Sequence, residues 1–157
     1  MGISANPNVL PSEQAGVAAY LPPASVSAGT AVLGASGDRI DMRKFESVLI
    51  EIHVGALGTS ATLDAQARSY DVAESGSSED LDGKAITQLT KAGDDDSDQV
   101  VLMNIRREEL PEGHRYVDVL LTVGEAASIV GAVALGFYPG YGPAHGHNID
   151  AVAEVVN

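Results

Sequence analysis

The stretch "GFYPGYGPAHGHN", residues 136–148, brings together Phe137, Tyr138, Tyr141, His145 and His147 in a chain with only two Phe, five Tyr and four His. Alternate residues of an extended segment share a face, so His145 and His147 could both reach one metal ion. A closed zinc site needs two more ligands, and a catalytic one at least a third. His53, His114 and many carboxylates exist elsewhere, but no spacing converges them on this pair, so both histidines read as polar loop residues. "DDDSDQ", beginning at Asp94, starts like a calcium loop. Such a loop needs Gly at position six and Glu at position twelve, where this chain has Gln99 and Ile105. The run from Asp94 to Asp98 therefore reads as an acidic hairpin loop. "GSSEDLDGK" has the wrong glycine spacing for a phosphate loop, Ala85 stands where a magnesium-holding hydroxyl belongs, and the stretch reads as a long polar loop. No Gly-x-Ser-x-Gly elbow occurs. A carboxylate pair for glycoside hydrolysis is defined by distance rather than spacing, and the chain has no Trp to form a sugar platform. No catalytic residue, metal site or cofactor is assigned, and the expectation is a non-enzymatic protein.

Composition narrows the partners. The 157 residues include 22 acidic and 9 basic side chains, a net charge of -13. That field repels nucleic-acid phosphates, and the clustered Lys and Arg of a nucleic-acid interface are missing. With no Cys, disulfides and thiol chemistry are excluded. The longest apolar run, "SIVGAVALGF", falls well short of the ~20 residues of a membrane span. The first twenty residues lack the pattern of a secretory signal, and Asn6 breaks a myristoylation motif. The expectation is a chain made in the cytoplasm, with neither a nucleic-acid nor a membrane partner.

The elements that must carry these residues are strands. "FESVLIEIHV" alternates, with Val48, Ile50, Ile52 and Val54 on one face. "RYVDVLLTV" does the same with Val117, Val119, Leu121 and Val123. "SIVGAVALGFY" places Ile129, Val133, Leu135 and Phe137 opposite Val130, Ala132, Ala134 and Gly136; Phe137 is assigned to the core face. That assignment leaves the small residues as a smooth outer strip. Leu49, Leu120 and Val130 also fall on outer faces, to be covered either by the protein's own loops or by a partner. Further strands are expected at 30–34, 60–68, 85–90 and 99–105, and "LPEGH" fits a type I turn with Pro111 second and Gly113 fourth. About seven short strands predict an all-β fold, a β-sandwich or jelly-roll-like body over residues 29–139.

The ends differ from this body. Residues 1–28 carry a single charge, Glu13, with Pro7, Pro11, Pro22 and Pro23 and the apolar Val9, Leu10, Val17, Tyr20 and Leu21. This composition predicts an extended arm, held by its own domain or, in the favoured reading, by a neighbour. Residues 140–157 read as a C-terminal arm or a short helix with Asn148 as N-cap; "AVAEVV" reads equally well as a strand. Candidate partner contacts are Val9, Leu10, Tyr20, Leu21, Phe137, Tyr138 and Tyr141.

Three stretches, "DMRKFESVLIEIHVG" (41–55), "EGHRYVDVLLTVG" (112–124) and "GAVALGFYP" (131–139), resemble a family of small virion structural proteins of tailed bacteriophages, of the head decoration or cement type. His114 and Asp118 stand where the family pattern has Lys and Arg, and the chain runs on past Pro139. The resemblance implies a component of the outer capsid surface that binds the major capsid protein and self-associates as a homotrimer. Alternatives are a tail or head–tail joint protein, or a glycan-binding sandwich using Tyr116, Tyr138 or Tyr141.

Overall fold

A computed structural model describes residues 8–156. The expectations for residues 1–7, Pro7 among them, and for Asn157 lie outside the described residues. A one-turn helix, α1 (Pro11–Gln14), leads into β1 (Ala15–Val26), β2 (Gly29–Leu33), β3 (Ile40–Asp41) and β4 (Phe45–Val54). There follow β5 (Thr62–Tyr70), β6 (Glu79–Ala85), β7 (Leu89–Thr90), β8 (Val100–Arg106), β9 (Tyr116–Gly124) and β10 (Ser128–Pro139). Two 3-10 turns cover Arg107–Glu109 and Ala144–His147.

The strands form two antiparallel sheets. Sheet A has the order β1-β10-β4-β8 and sheet B the order β2-β9-β5-β6, with β3 also on β9 and β7 also on β5. With the two-residue β3 and β7 set aside, the first strand pairs with the last, the second with the next to last, and so on to the β5–β6 hairpin. That nested pairing of eight strands is a jelly roll, and the all-β expectation holds. Its core lies between the sheets. Ile50 and Ile52 of β4 face Val117, Val119 and Leu121 of β9 in a cluster from which water is essentially excluded. The alternation in β4 and β9 runs as their sequences predict, because each has one apolar parity and one mixed.

Strand β10 faces the other way from its sequence reading. Val130, Ala132, Ala134 and Gly136 point inward, and Ile129, Val133, Leu135 and Phe137 point out. The cause is the neighbour β4: Ala134 lies beside Ile50, Ala132 beside Ile52 and Gly136 beside Val48. The ring of Phe45 fills the space above Gly136, so a Cβ there would fall within the ring. Small side chains on β10 make room for large ones, and Phe137 is not a core residue.

Residues 15–26 are not a separate arm. They form the edge strand of sheet A, paired with β10 from Ala15–Phe137 to Val26–Ser128. Pro22 and Pro23 are accommodated because they sit at an irregularity between Leu21 and Ala24, on an edge where no further strand needs their N–H groups. The expected boundary at residues 28 and 29 is the turn between β1 and β2. Beyond the 3-10 turn Ala144–His147, the described C-terminal segment is neither helix nor strand. Asn148 does not cap a helix; its side-chain oxygen accepts from Val17 N–H at 2.7 Å, and Ile149 N–H donates to Val17 O at 3.0 Å. Ala144 is fully buried against Gly16. Residues 79–85, read as loop, form β6, where only Leu81 turns inward and no alternation signals a strand. The turn in "LPEGH" sits one residue later than expected: His114 N–H bonds Pro111 O, with Gly113 in third place at a φ of 84°.

Candidate assembly surface

Sheet A has an outer face that no element of the described chain covers with another layer, and its composition is unlike the rest of this acidic surface. Cross-strand rows run Leu102–Glu51–Val133–Tyr20 and Asn104–Leu49–Leu135–Val17, with Arg106–Ser47–Phe137–Ala15 beyond them. Leu102 is 58% exposed, Val100 56%, Tyr20 48% and Ile129 45%. Leu49, Val133, Leu135 and Phe137 are half-buried by one another. Glu51 is the one carboxylate in these rows, and it lies 3.5 Å from His53 on the same strand. A contiguous apolar surface with a polar rim is the signature of a protein–protein contact.

The contact residues expected from the sequence fall at three places. Phe137 and Tyr138 line a groove of about 490 Å³ with Leu49, Pro139, Glu13 and Gln14. Tyr138 is 56% exposed and holds a φ of 52°, a left-handed conformation uncommon for a residue with a side chain. Leu10, 44% exposed, and the half-buried Val9 precede α1 on the same side of the molecule, where α1 packs against β10. Tyr20 lines a second groove of about 500 Å³ with Val32, His147 and Ile149. Leu21 is half-buried and packs against the core. Tyr141, 68% exposed, meets His147 edge-on at 4.6 Å, and His147 meets Phe45 edge-on at 5.6 Å. His147 also bonds Tyr141 O through Nε2 at 2.7 Å. It therefore fastens the C-terminal segment to the sandwich and is more than a polar loop residue.

Sequence reasoning missed Val100, Leu102, Val133 and Leu135. Two signals were available: the outward parity of "VVLMNIR" begins with Val100 and Leu102, and Ile129, Val133, Leu135 and Phe137 of β10 share one parity. Neither fits a strand with a wet face.

Other polar groups are engaged in local hydrogen-bonded networks. Asp95 is held at a pKa of about 2 by hydrogen bonds from Lys91 and Ser97. Among the described residues, no three His, Cys, Asp or Glu side chains gather as a metal site. On the outside of sheet B, Asp118 is 2% exposed. It accepts two hydrogen bonds from its cross-strand neighbour Arg68, at 2.9 and 2.8 Å, and one from Tyr70 at 2.8 Å. Arg39 lies 3.4 Å over the Tyr70 ring. Burial, followed by the Asp118 hydrogen bond, raises the Tyr70 hydroxyl above its usual range. A buried carboxylate needs such partners, and Arg68 accounts for an acid at this position.

No protein-family model matches the chain, and no curated protein matches it. Solved structures do. A structure of the Gx strain of infectious bursal disease virus matches with a TM-score of 0.50 at 14% identity, over 92% of this chain and 38% of that one. The VP2 subviral particle of infectious bursal disease virus matches with a TM-score of 0.47 at 16% identity, again over 92% and 38%. This chain thus spans 38% of the length of those chains, and at such identity the likeness is one of fold alone.

Proposed function

We propose that this chain is a non-enzymatic virion structural protein that decorates a tailed-phage head, binding the outer surface of the major capsid protein lattice and stabilising it. The observation that carries this reading is the outer face of sheet A, with Leu49, Val133, Leu135 and Phe137 in its middle and Val100, Leu102, Tyr20 and Ile129 around them. Its framework is a fold also found in a virus structure, and the three phage-like stretches are the central strands β4, β9 and β10. A body with net charge -13 suits the outside of a DNA-filled shell better than its inside. No helix among the described residues is long and apolar enough to cross a membrane.

Purified protein mixed with expanded, undecorated heads should co-sediment with them and raise their resistance to heat. Leu135→Glu places a charge in the middle of the face and should weaken binding at least about tenfold, the effect of one lost apolar contact plus a desolvated charge. Heads that neither retain the protein nor gain resistance would overturn the reading.

A further inference from the structure

The two edges of sheet A are managed differently. At β1, the outward backbone of Val17 is bonded to Asn148 and Ile149, and Pro22 and Pro23 remove donors further along. At β8 the edge is open. Val54 N–H bonds Gln99 O, which fixes the alternation: in β8 the odd residues direct N–H and C=O to β4, and the even residues direct theirs away from it. Lys84 covers Asn104 O at 2.7 Å and Glu109 covers Arg106 N–H at 2.8 Å. The outward groups of Val100 and Leu102 and the N–H of Asn104 face no strand, since β8 ends the sheet. Beside them runs a cleft of about 410 Å³ floored by Ile86, Leu89, Val101 and Met103. An apolar edge strand with no proline, no inward charge and no further strand beyond it is a template for another strand.

We propose that β8 pairs antiparallel with β8 of a second copy of this chain, about a two-fold axis at Leu102, joining two A sheets into one of eight strands. The partner is a second copy because the blocked β1 edge leaves β8 no other sheet-A edge of a sister chain to meet, and a two-fold pairing of like edges closes on itself. The register follows from the unpaired groups. Leu102 exchanges both bonds with Leu102 of the second copy, and the open N–H of Asn104 donates to Val100 C=O, while Asn104 C=O keeps its bond from Lys84. The same register brings Arg106 towards Asp98 twice, opposite charges at each end of the contact. The inference does not rest on capsid binding, and it predicts a dimer where the phage-family resemblance implies a trimer.

Because the chain has no Cys, Leu102→Cys gives a single reporter thiol. Opposed residues of a hydrogen-bonded pair lie about 5.5 Å apart at Cα, within disulfide range. Mild oxidation with a copper complex should convert Leu102→Cys largely to a covalent dimer and leave Ser77→Cys, in the exposed stretch before β6, monomeric. In sedimentation equilibrium the unmodified chain should weigh twice its 16.2 kDa. Leu102→Pro, which removes only an outward donor, and Leu102→Lys, which keeps the backbone donor, should both be monomers with near-native circular dichroism. A monomeric or trimeric unmodified chain overturns the proposal, as does a dimer that survives both Leu102 substitutions. None of these readouts involves a capsid, so capsid binding stands or falls separately.

Discussion

Gly136 decides the orientation of the strand that carries the candidate surface. With no side chain, it lets the Phe45 ring settle onto β10 from the core side, and every other residue of β10 is then oriented by the pleat. Gly136→Ala should lower stability by about 1–3 kcal/mol through overpacking, seen as a lower melting temperature in calorimetry. Phe45→Leu alone leaves a cavity and also destabilises, but in the Gly136→Ala background it should recover part of the loss. That non-additive pair is the mark of direct contact. If the two substitutions simply add, the ring does not set the orientation. Two residues on, Tyr138 holds a left-handed backbone at a φ of 52°.

Among the elements, the short C-terminal segment does the work of an extra strand without being one. Asn148 and Ile149 together satisfy both backbone groups of Val17 at the sheet edge. Asn148→Ala should destabilise by about 0.5–1.5 kcal/mol. Hydrogen exchange should show the Val17 amide losing protection while Ile50 and Ile52 keep theirs; equal loss across the sheet would contradict the local role. What could be read from the sequence follows the same divide between local pattern and remote partner. The strands β4 and β9 were legible because each buries one parity of side chains and leaves the other mixed. The inward turn of β10 was not, because the residue that dictates it, Phe45, lies more than eighty positions away and only the register brings it near. β1 was read as an arm because its prolines mark it as exposed, and an edge strand meets that description as well as an arm does. Of the expected contact residues, Tyr20, Phe137, Tyr138 and Tyr141 do lie at grooves or on the surface. Leu21 is half-buried against the core, and hydropathy alone cannot separate a strand's two faces across an irregularity.

For the whole molecule, acid should be the sensitive condition. Burial opposes ionisation of Asp41 and Glu109. The Arg115 guanidinium at Asp41, and the Arg106 N–H with Lys84 at Glu109, outweigh it and hold both below the ordinary carboxylate range. Asp95 is lower still, at about 2. The unfolded chain binds these protons more readily. Their stabilisation is therefore complete above roughly pH 5 and is lost as pH falls through the folded values. The melting temperature should hold steady from neutrality to about pH 5 and then drop, and Asp41→Asn should start lower at neutral pH and drop less; a parallel curve would remove Asp41 from the account. The nested order of the strands has one more result. Ala15 pairs with Phe137, 137 − 15 = 122 residues further along the chain. At about 5–20 residues per second, a ribosome needs roughly 6–24 s to deliver that partner. Throughout that interval Val17 and Leu21 have no sheet to join and are open to chaperones and to other nascent chains. Of the strands described, β1 is made before the others yet is among the last able to fold, and the speed of translation sets how long it waits.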